Sequence, residues 1–91
     1  MVWQLIEDEK ELSNLTSLSQ TCQNNYKTWA ERIRDGGMHP REAANKSHHY
    51  KLFHNSKIIQ GQIYLDSDQR VTFLIHKSTN TVEVLQIGGH T

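Results

Sequence analysis

The chain has 91 residues and a mass of 10.6 kDa, with 10 basic residues against 10 acidic ones and 35% of its residues hydrophobic. That is one small domain held by packing alone, because the lone Cys22 excludes both an internal disulfide and a zinc cluster built on four cysteines. No apolar run reaches the roughly 18 residues of a membrane span and the start turns acidic too soon for a signal peptide, so a cytosolic protein is expected; the zero net charge speaks against a dedicated nucleic-acid binder.

Val2-Trp3-Gln4-Leu5-Ile6 is short, apolar and partly alternating, which predicts a strand. Asp8 then offers an N-cap, with Glu11 three residues on as its capping-box partner. Leu12, Leu15, Leu18, Cys22, Tyr26, Trp29 and Ile33 recur every three or four residues and form one helical stripe. Ser17, Ser19 and Thr21 crowd its middle, and such residues favour caps over helix interiors. Two helices are therefore expected, over 8–18 and 21–34, with a break near Ser19-Gln20 and with Tyr26 and Trp29 as plain core. Gly36-Gly37 and Pro40 end the second helix. Residues 35–49 read as a polar connection with room for a helical turn over 41–45.

The second half has strand character. Tyr50 to Phe53 begins it and His54-Asn55-Ser56 interrupts. Strands are expected over Lys57–Leu65, with Gly61 a bulge or a close backbone approach; over Arg70–His76, the most apolar and hence central one; and over Thr81–Ile87, with Val82, Val84 and Gln86 on one face and Glu83, Leu85 and Ile87 on the other. Short turns at Asp66-Ser67-Asp68 and Ser78-Thr79-Asn80 join them into an antiparallel meander. Strand, two helices and three strands make a small α+β domain that fills residues 1–91.

The neutral total hides a pattern. Residues 1–20 carry a net −3, residues 21–60 a net +4 and residues 61–91 a net −1. The basic middle also holds His48, His49 and His54. By itself such a segment is an ordinary solvated face. No HxxxH or HExxH spacing occurs, and neither a metal nor another cofactor is expected. Arg70 opens the central strand directly after a turn, and His90 follows the last strand behind Gly88-Gly89. If those two strands pair as a hairpin, Arg70 and His90 meet at one sheet edge. A guanidinium beside an imidazole suits metal-free phosphodiester cleavage, the arginine holding the phosphate and the histidine moving protons. The plain alternative is a surface charge and a terminal histidine with no joint role.

Lys51-Leu52-Phe53-His54-Asn55, then KIIQGQIYLDSDQRVTFLIH, then TVEVLQIGGHT resembles the toxins of the RelE/ParE superfamily, nearest its YoeB and YafQ branches. Arg70-Val71-Thr72-Phe73-Leu74-Ile75 is similar to the family's Arg-led central strand, and Ile87-Gly88-Gly89-His90 to its small residue before a late histidine. The likeness covers 50–91 by motif and the remainder by layout. It implies the toxin of a type II toxin–antitoxin pair, an endoribonuclease that cuts messenger RNA at the ribosome when the 2′-oxygen attacks the adjacent phosphate. In that reading Arg70 stabilises the phosphate, His90 is the general acid, and the base lies among His48, His49 and His54, with His54 favoured. Lys51, Lys57, His49, Arg41 and Lys46 would contact RNA, and the basic middle would dock an acidic, amphipathic antitoxin. Gln60 and Gln62 depart from the pattern, standing where many members carry Arg or Lys; Thr91 stands where some branches place Tyr. Two other readings compete: a gyrase-directed or other non-nuclease member of the fold, and a regulatory protein-binding module.

Overall fold

The computed structural model describes residues 2–44, 50–54 and 59–89, His54 through its backbone. The elements run β1 (Gln4–Ile6), α1 (Glu9–Leu15), α2 (Gln20–Arg34), α3 (Pro40–Ala43), β2 (Lys51–His54), β3 (Ile59–Tyr64), β4 (Arg70–His76) and β5 (Thr81–Ile87). They form an α+β domain around one five-stranded sheet in the order β1-β5-β4-β3-β2. β1 lies parallel to β5, and every other pairing is antiparallel.

The helix break falls where the hydroxyl residues put it. Thr16 and Ser17 turn their hydroxyls back onto the carbonyls of Ser13 and Asn14, each at 2.7 Å, so α1 stops. Ser19 is extended, and its hydroxyl accepts from the Cys22 amide at 3.2 Å, opening α2. Asp8 caps α1 by accepting from the Lys10 amide at 2.9 Å. Glu11 does not close a capping box. Its carboxylate accepts from the Ile87 amide at 3.0 Å, which ties α1 to the end of β5.

Past α2 the chain turns through Gly37 at φ 66°, a left-handed conformation that suits glycine. The Gly37 carbonyl accepts from Trp3 N–H at 3.0 Å, fastening the return to the first strand. The polar connection holds α3 one residue earlier than the turn expected at 41–45. His39 caps it, its Nδ1 accepting from the Arg41 amide at 3.0 Å. The Trp29 indole N–H donates to the Pro40 carbonyl at 3.1 Å, and the Arg32 guanidinium donates to the Ala43 carbonyl at 3.1 Å. α2 thus positions α3.

The meander gains a strand over the three expected, because Lys51–His54, just ahead of the interruption expected at His54-Asn55-Ser56, pairs with β3. β4 is central, as its apolar run predicted. Its buried Val71, Phe73 and Ile75 meet Cys22, Tyr26, Trp29 and Ile33 of α2, with Ile63, Val82, Val84 and Ile87 completing the core. The rings of Trp29 and Phe73 lie 5.1 Å apart. Gly61 stands opposite Phe73, and a Cβ there would come 2.4 Å from the Phe73 ring, so it serves the close approach.

One expected alternation fails, for a physical reason. Phe73 faces Val84 but Thr72 faces Gln86, which leaves Leu85 as the extra residue of a β-bulge. The bulge shifts the parity of β5. Ile87 joins the core at 2% exposure instead of sharing the outer face with Leu85, which is 40% exposed, and Gln86 moves to the Thr72 face, away from Val82 and Val84.

Candidate functional site

Alternate residues divide the sheet into two faces. Val71, Phe73 and Ile75 face the helices, so Arg70, Thr72 and Leu74 point the other way. Antiparallel partners share a face, which adds Lys51, Phe53, Gln60, Gln62, Tyr64 and Gln86 to the second face. This face is mixed in character: Phe53 is 49% exposed, Gln62 is 6% exposed, and cations sit at one end.

That end is built around Arg70. The Asp66 carboxylate folds the β3–β4 turn by accepting from the amides of Asp68 and Gln69, each at 2.7 Å. Its other oxygen accepts from the Cys22 thiol at 3.0 Å. These donors, the thiol foremost, hold Asp66 below its ordinary pKa, while burial pushes the Cys22 thiol up and keeps it protonated. The turn sets Arg70 directly opposite Tyr64, with its guanidinium carbon 4.7 Å from the centre of the Tyr64 ring. Lys51 comes to the same ring, its ammonium 5.4 Å from the centre.

The chain's end is fastened to the same residue. The Gly88 amide donates to the Arg70 carbonyl at 2.7 Å, and the Arg70 amide donates to the Gly89 carbonyl at 3.2 Å. The Gly89 amide donates to Gln69 Oε1 at 2.6 Å, and the Gln86 carboxamide donates to the Gly88 carbonyl at 3.3 Å. Gly88 and Gly89 have φ of 94° and 79°, conformations glycine tolerates best, so the pair lets the strand curl against Arg70. Arg70, Thr72, Gln86, Gly88 and Gly89 enclose a niche of about 10 Å³, near the size of one water. A larger cavity of about 590 Å³ is lined by Tyr64 and Lys51, with Asn25, Leu65, Asp66 and Ser67.

Of the expected site residues, Arg70 and Lys51 come together on Tyr64. Arg41 is exposed on α3. There its charge acts on Tyr50, whose hydroxyl is buried with no hydrogen-bond partner among the described residues. Burial pushes Tyr50 up to about 12, with the Arg41 charge opposing. The backbone of His54 pairs with Ile59, at the level of Ile75, five residues along β4 from Arg70 and roughly 17 Å away. His90, His49, Lys46 and Lys57 lie outside the described residues. Tyr64 was missed. Its signal was its place, facing Arg70 across a turn, which a hairpin register drawn from the sequence would have found.

A separate polar contact joins the segment between β1 and α1 to α2. The buried Tyr26 hydroxyl donates to Glu7, which also takes Arg34 at 2.8 Å. Burial first, then the Glu7 carboxylate, pushes Tyr26 up. The arrangement locks the β1–α1 junction onto α2. Among the described residues no three His, Cys, Asp or Glu side chains gather as a metal site, and no helix is long and apolar enough to cross a membrane.

No protein-family model matches the chain, and no curated protein matches it. Solved structures do. The archaeal RelE-RelB complex from Pyrococcus horikoshii superposes with a TM-score of 0.75 at 11% identity, over 98% of this chain and 96% of that one. A metal-bound toxin from Helicobacter pylori superposes with a TM-score of 0.65 at 16% identity, over 99% and 96% of the two chains. A mutant of the E. coli toxin RelE in the free state gives 0.51 at 15% identity, over 98% and 84%. The match runs through nearly the whole chain, helices and sheet alike, and this protein has the fold of the RelE-like toxins.

Proposed function

We propose that the protein is the toxin of a toxin–antitoxin pair and cleaves messenger RNA at the ribosome in the cytoplasm, with Arg70 and His90 at the reacting phosphate. The observation that carries this reading is the fastening of Arg70 to Gly88 and Gly89, the two residues before His90, by two backbone hydrogen bonds of 2.7 and 3.2 Å. These bonds fix the Arg70 backbone at the strand end, and His90 is the next residue in the sequence after Gly89.

In this mechanism the Arg70 guanidinium binds the scissile phosphate and stabilises the charge that grows on its oxygens. A neutral imidazole takes the proton of the ribose 2′-hydroxyl. The 2′-oxygen then forms a bond to phosphorus, and the bond from phosphorus to the 5′-oxygen breaks. His90, protonated, gives its proton to that 5′-oxygen. The products are a 2′,3′-cyclic phosphate and a free 5′-hydroxyl, so atoms and charge balance without a metal. The base falls to a histidine flanking β2. The separation between His54 and Arg70 along the sheet turns the preference toward His49, which lies on the Lys51 side of that strand in chain order.

Lys51 beside Tyr64, with Lys46, Lys57 and Arg41 in the basic middle, supplies the phosphate contacts that hold the strand. The same basic segment suits an acidic antitoxin that folds as it binds. Translating ribosomes incubated with the protein and a defined messenger test the reading. Cleavage fragments ending in a cyclic phosphate are expected, and Arg70→Ala or His90→Ala should abolish them. His49→Ala and His54→Ala, compared side by side, identify the base. Intact messenger with the folded wild-type protein would overturn the nuclease reading and leave a non-nuclease member of the fold.

A further inference from the structure

We infer that the cavity beside Tyr64 is a nucleobase pocket, which takes one unpaired base of the RNA strand whose phosphate is held at Arg70; the inference rests on the ribonuclease reading above. The cavity holds about 590 Å³, within the range of pockets that enclose small ligands. Its walls join an apolar part, Leu65 and the Tyr64 ring, to polar groups on Asn25, Asp66 and Ser67 and to the ammonium of Lys51. An aromatic ring beside cations is what single-stranded nucleic acid uses, because every base has a face to stack and every nucleotide a phosphate to neutralise. Tyr64 meets both needs, with Arg70 4.7 Å and Lys51 5.4 Å from its centre.

The polar wall is fixed before a ligand arrives. Asn25 Nδ2 donates to the Leu65 carbonyl at 2.7 Å. Asp66 is gripped by the Cys22 thiol at 3.0 Å and by two turn amides. A preorganised wall of this kind costs little to order on binding. Lys51 is exposed on a long flexible stem and can leave the ring for a flanking phosphate as a base slides in. Arg70 lines the small niche while Lys51 lines the cavity, so Tyr64 links the phosphate position to the base position. An acidic peptide would satisfy the two cations and leave the ring and the polar wall unused, which favours RNA as the occupant.

Fluorescence anisotropy with the full chain and a labelled hexanucleotide tests this. The strand carries 2′-O-methyl groups, which block cleavage, and is compared with versions lacking one base at each position in turn. Removing one particular base should weaken wild-type binding about 5- to 150-fold. Tyr64→Leu should weaken the intact strand by a similar factor and then show no further loss on removal of that base. Tyr64→Phe should bind within about twofold of wild type, since stacking needs the ring and not the hydroxyl. Ser67→Phe, which fills the cavity from its exposed rim, should lower affinity for the intact strand only and guards against a Tyr64→Leu chain that fails to fold. Wild-type binding indifferent to every base removal, no binding at all, or an equal loss for intact and base-free strands in Tyr64→Leu would overturn the pocket. Each outcome is independent of whether ribosomal cleavage is seen, so the two readings fail separately.

Discussion

The two faces of the sheet are made from alternate residues of the same strands, yet one is closed and the other is chemically varied. On the helix side Val71, Phe73 and Ile75 are sealed under Trp29 and Ile33. On the other side Arg70, Tyr64 and Lys51 keep their charge and ring surface within reach of solvent. The difference shows how a chain of 91 residues holds a charged, aromatic sheet end on a small core. The closed face fixes strand register, and register alone sets Arg70 against Tyr64 and against the Gly88-Gly89 curl. Changes to the closed face should therefore cost folding, and changes to the other face should cost binding or chemistry.

The largest effect is expected from the closed face. Phe73→Ala should lower unfolding free energy by about 3–5 kcal/mol in urea titrations, much of what a domain this small possesses. Retained stability would break the comparison at its base. Next comes Glu11→Ala, which leaves the Ile87 amide beside the bulge without its carboxylate; a loss of about 1–3 kcal/mol is expected by the same titration. Gly61→Ala should cost about 1–3 kcal/mol, because the new Cβ overlaps the Phe73 ring, and its NMR spectrum should show Phe73 displaced.

A smaller effect is pH-dependent. Burial, foremost, holds His39 below its ordinary pKa, and its neutral Nδ1 accepts the Arg41 amide at the start of α3. A histidine depressed on folding contributes stability that is whole above its unfolded pKa of about 6.5 and is lost as pH falls through the folded value. Stability should decline below about pH 6.5, and His39→Asn, which keeps a cap acceptor without a titrating ring, should flatten that decline. An unchanged profile in the variant would assign the acid sensitivity elsewhere. The smallest effect belongs to the other face. Gln60→Lys should leave stability within about 0.5 kcal/mol while strengthening binding to single-stranded RNA and steepening its salt dependence.

Much of the fold could be read from residue spacing. The stripe from Leu12 to Ile33 gave two helices, the hydroxyl residues near Ser19 gave the break, and RVTFLIH gave the central strand. What spacing could not supply was tertiary. Lys51–His54 is a strand because β3 offers it a partner, although its own sequence runs into turn-forming residues. The parity of β5 depends on a bulge at Leu85 that no composition signal marks. Glu11 looked like a capping partner because local spacing cannot see the Ile87 amide arriving from the far end of the chain. At the site, the reading that the start of the Arg70 strand lies beside the end of the Thr81–Ile87 strand needed only hairpin logic, whereas the cavity lined by Tyr64 needed α2 to bring Asn25 to the β3–β4 turn.

The central claim is that the Arg70 end of the sheet acts on RNA while the closed face only supports it. It is tested most directly by measuring messenger cleavage on ribosomes and urea unfolding for Arg70→Ala on the same preparation. Cleavage should fall by about 10²–10³ or more, with the unfolding free energy within about 1 kcal/mol of wild type. Undiminished cleavage by a folded Arg70→Ala protein would contradict the account.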